Sequence, residues 1–147
     1  MKVLLAGGGT GGHVYPAIAI ANKIKEHNPD CEILFVGTKN GIESEIVPKA
    51  GFELKTVTVQ GFKRKIDFDN VKRVFKLCKG LEQSRRIVKK YKPDIVIGTG
   101  GYVSGPVLFN AAMSKKVTIV HEQNSFPGVT NKILSKVATK VLTSFED

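Results

Sequence analysis

Val3-Leu4-Leu5-Ala6 runs straight into Gly7-Gly8-Gly9-Thr10-Gly11-Gly12-His13, and Ile95-Val96-Ile97 runs into Gly98-Thr99-Gly100-Gly101-Tyr102-Val103-Ser104-Gly105-Pro106. A strand that ends in glycines and turns into a helix leaves backbone N–H groups unpaired and pointing outward. Glycine lets that backbone approach a ligand with no side chain in the way. One such loop is a weak signal. Two, each closing an apolar run, point to a diphosphate held in a cleft.

Around these two stretches, short β-rich runs alternate with helical patterns. Strands fit at Lys2–Ala6, Glu32–Gly37, Leu54–Val59, Asp94–Gly98, Val117–Val120 and Lys140–Thr143. Val14, Ala17, Ile18, Ala21 and Ile24 form one helical face, ending near Asn28-Pro29. Ile42, Ile46, Val47 and Ala50 form another, stopped by Gly51. Asp69 is read as the N-cap of a basic helix, with a helix over about Leu81–Tyr91 continuing or following it. Pro106 is set to start a helix after the second glycine run, and residues 128–138 supply the last one. The alternation predicts an α/β fold with a doubly wound, Rossmann-like parallel sheet, one domain over residues 1–147. The glycine runs, Gly37–Gly41, Gln60–Lys63 and His121-Glu122-Gln123-Asn124 each follow a strand's carboxyl end, where open α/β sheets bind ligands.

The chain of 147 residues carries 23 Lys and Arg against 13 Asp and Glu, a formal net charge of +10. Nine of those ten charges lie between Gly61 and Lys92. Such a concentration points to a polyanionic partner. Phe68, Val71, Val74, Phe75 and Leu77 alternate there with Lys72, Arg73, Lys76 and Lys79, the pattern of a helix lying on an anionic membrane. A solvated helix face is the competing reading, and nucleic acid ranks last because no known nucleic-acid module is recognisable. Cys31 and Cys78 stand alone and read as free thiols of a reducing cytoplasm. The apolar run after Lys2 breaks into glycines too soon for a signal peptide, and Gly and Pro interrupt the uncharged stretch Ile95–Ser114.

Gly7, Gly9 and Gly12 satisfy G-x-G-x-x-G, yet the second strand ends Val36-Gly37-Thr38 without the acidic residue a dinucleotide requires. A nicotinamide or flavin enzyme is therefore disfavoured. His13, in the first turn of a predicted helix, is expected to be a neutral imidazole and a competent general base, or simply a loop hydrogen-bonder. The run His121–Asn124 must be used by a ligand or by a loop network. His13 and His121 lack a third ligand at metal spacing, and no Ser or Cys nucleophile motif appears.

GGGTGGH at 7–13, GTGGYVSGP at 98–106 and HEQN at 121–124, with VPKAG at 47–51 and TNKILSKVATKV at 130–141, carry a resemblance. The whole chain resembles the amino-terminal half of the UDP-N-acetylglucosamine:N-acetylmuramyl-(pentapeptide) pyrophosphoryl-undecaprenol N-acetylglucosamine transferases. These are inverting GT-B glycosyltransferases of bacterial peptidoglycan synthesis. The resemblance implies that UDP-N-acetylglucosamine and an undecaprenyl-diphosphate-linked muramoyl peptide meet between two domains at the cytoplasmic face of the membrane. No cofactor, metal or nucleic acid is implied. This chain would be the acceptor-side domain, inactive without a donor domain that it does not contain. By motif position, Thr10, Gly11, Gly12 and Asn124 would touch the donor, Gly100, Gly101, Tyr102 and Ser104 would also bind substrate, and Tyr102 would support binding or catalysis. His13 would be the base, supported by Glu122. Phe68, Val71, Lys72, Phe75, Lys76 and Lys79 would contact the membrane. A non-catalytic module for lipid diphosphate or anionic membrane is the alternative.

Overall fold

Parallel strands buried on both faces need apolar side chains at consecutive positions, and the central strands have them. The computed structural model describes residues 1–62, 65 and 67–146. Lys63 and Arg64 of the basic segment, Ile66 and the terminal Asp147 lie outside the described residues. Six strands, β1 (Lys2–Gly7), β2 (Glu32–Gly37), β3 (Glu53–Thr56), β4 (Ile95–Gly100), β5 (Val117–Glu122) and β6 (Lys140–Thr143), form one sheet. Its order is β3-β2-β1-β4-β5-β6, with every neighbouring pair parallel. The order reverses between β1 and β4, which opens a crevice at their carboxyl ends.

Helices α1 (Gly11–His27) and α2 (Glu43–Lys49) cover one face of the sheet. There Val3 and Leu5 pack with Val14, Ala17, Ile18, Phe35 and Val47. Helices α3 (Asp69–Tyr91), α4 (Ser104–Met113) and α5 (Val129–Leu134) belong to the other side. Leu4 and Ala6 meet Val88, Val107, Leu108, Ala111 and Leu134 on that side. Adjacent β1 residues thus feed opposite cores, as a doubly wound sheet demands.

The expected fold class stands, with local corrections. The third strand ends at Thr56, where the Thr58 amide instead donates to Gln83 Oε1 at 2.6 Å. One continuous helix runs from Asp69 to Tyr91, with Phe68, not Asp69, at its N-cap position. Pro106 sits in the first turn of α4 and does not begin it. The sheet also reaches further than expected, since β4 extends through Gly100 and β5 through Glu122. The last helix is short, closing at Leu134.

Leu5 has no exposed surface. Replacing it by Ala removes buried methylenes from the centre of the sheet, and Leu5→Ala is expected to lower unfolding free energy by about 2–5 kcal/mol in urea titrations followed by circular dichroism.

Candidate active site

The crevice is built where β1 and β4 end side by side. Ala6 pairs with Gly98 but Gly7 pairs with Gly100, so Thr99 is an extra residue in the ladder. Such a bulge re-aims the chain. Thr99 is fully buried, and its hydroxyl donates to the His13 carbonyl at 2.7 Å, fastening the first turn of α1 to β4. Gly100 and Gly101 have φ of +111° and +82°. A Cβ on Gly100 would come within 2.6 Å of His13 Cδ2, and one on Gly101 within 2.3 Å of the Gly8 carbonyl oxygen. Only glycine permits both the backbone conformation and the approach.

His13 therefore lies against the second glycine run. Its Nδ1 is 3.1 Å from the Gly8 carbonyl and 3.2 Å from Thr10 Oγ1. A carbonyl only accepts, so Nδ1 carries the hydrogen in the neutral ring and Nε2 keeps its lone pair. His13, Gly100, Gly101, Tyr102, Asn124 and Asn131 are among the residues lining a cleft of about 260 Å³. A larger hollow of about 470 Å³, lined by Lys2, Glu53 and Tyr91, lies by the amino-terminal ends of the strands. Among the described residues, no cluster of three or more His, Cys, Asp or Glu could hold a metal.

Glu122, at the end of β5, is 4% exposed. Its Oε1 accepts from the Asn124 amide and Asn124 Nδ2, both at 3.0 Å. Its Oε2 accepts from the Gly128 amide at 3.1 Å and Asn131 Nδ2 at 2.8 Å. Burial pushes this carboxyl up, but the hydrogen bonds from Asn124, Asn131 and Gly128 outweigh it and hold the pKa below 4.5. Gln123 Nε2 donates to the Thr99 carbonyl at 2.8 Å and to His121 Nδ1 at 3.1 Å. Of the two uses expected for residues 121–124, the loop network is the one observed.

Two site expectations need correcting. Ser104 does not reach the cleft. It is fully buried, with Oγ 2.8 Å from the Ala6 carbonyl and 2.9 Å from that of Gly100, and it accepts the Gly100 amide at 3.2 Å. The first glycine run also presents fewer open amides than expected. The Gly9 N–H is taken at 3.0 Å by Oε2 of Glu43, and the Gly8 N–H points to the Gly100 carbonyl at 3.4 Å. Among the donors left are the amides of Gly11 and Gly12 in the first turn of α1, which lack helical partners. Neither glycine lines the 260 Å³ cleft, and Thr10 meets it only through His13.

Glu43 and Asn131 are the site residues that the sequence reading missed. Glu43 is fully buried and also accepts the Thr38 amide and hydroxyl at Oε1, both at 2.7 Å. Burial raises its pKa, and the bonds from Gly9 and Thr38 more than reverse that. Asn131 lines the cleft at 5% exposure, and its Oδ1 accepts no hydrogen bond among the described residues. The membrane candidates sit apart on α3 and its N-cap residue, where Phe68, Val71 and Phe75 are 94%, 56% and 71% exposed. The spare thiols differ: Cys31 is buried and Cys78 exposed.

A Rossmann-like sheet with glycine runs and a histidine at its switch point defines a ligand-binding α/β domain, and comparison makes the class specific. The chain belongs to glycosyltransferase family 28, whose N-terminal domain model matches residues 3–143. It is 86% identical over all 147 residues to the UDP-N-acetylglucosamine--N-acetylmuramyl-(pentapeptide) pyrophosphoryl-undecaprenol N-acetylglucosamine transferase of Clostridioides difficile (strain 630), covering 36% of that protein. It is 58% identical to the enzyme of the same name from Thermoanaerobacter sp. (strain X514), covering all of this chain and 40% of that one. The crystal structure of Acinetobacter baumannii MurG superposes with a TM-score of 0.85 at 32% identity, over 99% of this chain and 42% of that one. The chain thus spans well under half the length of these relatives.

Glu43→Gln puts an amide NH₂ where a carboxylate now accepts from three donors. The variant is expected to lose about 1–3 kcal/mol of stability. A carboxyl with a lowered folded-state pKa contributes stability above its unfolded value of about 4.5, and that contribution fades as pH falls through the folded value. Acid denaturation below pH 4.5 should accordingly be shallower in Glu43→Gln than in the parent chain.

Proposed function

We propose that this chain supplies the acceptor-side domain of an inverting N-acetylglucosaminyltransferase. The reaction moves N-acetylglucosamine from UDP-N-acetylglucosamine to an undecaprenyl-diphosphate-linked muramoyl peptide in peptidoglycan synthesis. One observation carries the reading: His13 Nδ1 is anchored on the Gly8 carbonyl, which leaves the Nε2 lone pair unused beside a cleft lined by Gly100 and Gly101. The identity to named relatives across the whole chain supports the substrates.

In this reading the acceptor hydroxyl lies at His13 Nε2. As its oxygen attacks the anomeric carbon, the C–O bond to UDP breaks and the proton passes to Nε2. The anomeric centre inverts in one displacement, and UDP leaves with the bonding pair. Holding the hydroxyl beside a positioned base removes the need for it to ionise in water. Glu122 acts as a positioning residue, because its four hydrogen bonds fix Asn124 and Asn131 at the cleft wall. Gly11 and Gly12 offer amides, with the positive end of the α1 dipole, to the donor's phosphates. The donor's nucleotide would be held by the part of the relatives that this chain does not span.

The same domain would be peripheral at the cytoplasmic face of an anionic membrane. Exposed Phe68, Val71 and Phe75, flanked by Lys72, Lys76 and Lys79, support this. Lys76 also donates to Gln60 Oε1 at 2.8 Å, so it is partly committed within the protein. No helix among the described residues is long and apolar enough to cross a bilayer.

In a protein of the relatives' full length, His13→Ala should cut kcat by on the order of 10²–10⁴-fold while acceptor binding persists. Unchanged turnover in that assay would instead favour a binding module without chemistry at His13. Vesicle sedimentation tests the surface: Lys72→Gln is expected to weaken binding to phosphatidylglycerol vesicles about fivefold, at about 1 kcal/mol per basic residue. High salt should erase the difference.

A further inference from the structure

Beside the polar cleft runs a second hollow of about 350 Å³, and its chemistry is the opposite. Its walls are Val59, Phe62, Leu77, Leu81, Phe109 and Ile133, contributed by the segment after β3 and by α3, α4 and α5. Gln60 also borders it, but its Oε1 is already taken by Lys76. Tyr102, Val129 and Thr130 line both hollows, so the two are contiguous. Phe62 and Phe109 are each 43% exposed, and Ile133 62%. Grouped apolar surface of this kind beside a polar site marks a binding groove.

We infer that this groove holds the hydrocarbon segment nearest the diphosphate of the lipid-linked acceptor, with Tyr102 standing at the junction of head and chain; the inference rests on the acceptor reading above. A ligand that fills both hollows must join a polar, hydroxyl-rich head to an apolar chain. A sugar nucleotide has no part that matches the groove. At about 350 Å³ the groove is near the small end of ligand pockets, so it takes the proximal units of a long chain and not the whole of it. The rest has an apolar way out: Leu77 lines the groove, and Val74, one turn earlier on the same face of α3, stands 49% exposed. The groove thus selects the lipid-linked substrate and threads its chain toward the surface proposed to face the membrane.

The test titrates the 147-residue chain calorimetrically with inorganic pyrophosphate, geranyl diphosphate and farnesyl diphosphate, all below micelle-forming concentrations. Each methylene that enters the groove is expected to tighten binding about fourfold, so affinity should rise at least tenfold from pyrophosphate to farnesyl diphosphate. Ile133→Asp places a charge at a position exposed enough to tolerate it. It should abolish the chain-length gain and leave pyrophosphate affinity unchanged, whereas Phe75→Asp should preserve the gain. Pyrophosphate binding without any gain overturns the groove and leaves the acceptor reading standing. A gain that survives Ile133→Asp, or vanishes only in Phe75→Asp, also overturns it. Farnesol binding that needs Ile133, with no pyrophosphate binding, supports the groove and removes the diphosphate reading instead. A dimer in sedimentation velocity that Ile133→Asp dissolves gives the groove to a second copy of the chain and overturns the inference.

Discussion

The bond from Thr99 Oγ1 to the His13 carbonyl joins the carboxyl end of β4 to the first turn of α1. It reinforces the ladder between β1 and β4, which slips by a residue at this point, and acts together with the bond from Ser104 Oγ to the Ala6 carbonyl. With it, the two glycine runs become one rigid piece. His13 inherits its position from both sides, with its backbone held by Thr99 and its ring seated between the Gly8 carbonyl and Gly100. A side chain whose location is over-determined in this way loses little freedom when a ligand arrives.

A second constraint lies beneath the first glycine run. Glu43 fills space that Cβ atoms on Gly8, Gly37 and Gly41 would invade to within 2.4, 2.4 and 2.2 Å. Several of these glycines therefore serve an internal carboxylate and not an external phosphate. A buried negative charge below the loop also shapes the field above it, opposing the α1 dipole that would attract an anion. The division of labour is plain: Glu43 fixes the loop, and the amides at the start of α1 face outward.

The central strands were legible because burial on both faces leaves uninterrupted apolar runs, as in Val3–Ala6 and Ile95–Ile97. The switch point and its histidine followed from glycine runs placed at strand ends. Other features depend on distant parts of the chain. Gly80 reads as a weak point between two helical patterns, yet it lies inside α3 because the Thr58 carbonyl passes where a Cβ would sit, 2.4 Å away. Glu43 reads as an ordinary acidic residue at a helix start, and only the glycines folded over it reveal its burial. Ser104 belongs to a motif whose neighbours face the cleft, and α4's first turn rotates it inward. Asn131 was hidden because short polar helices carry no pattern that marks one side chain as buried.

The unbroken course of α3 has a mechanical consequence. Its 23 residues make a rod of about 34 Å at 1.5 Å per residue. The far half is clamped to the sheet side through Gly80, Ser84 and Val88, while the near half, tied to residues 60–61 by Arg73 and Lys76, leaves Val71 and Phe75 bare. Rods of this kind transmit tilt. Any plane on which the near half comes to rest also dictates the inclination of the sheet, and with it the height and heading at which the polar cleft looks out over that plane.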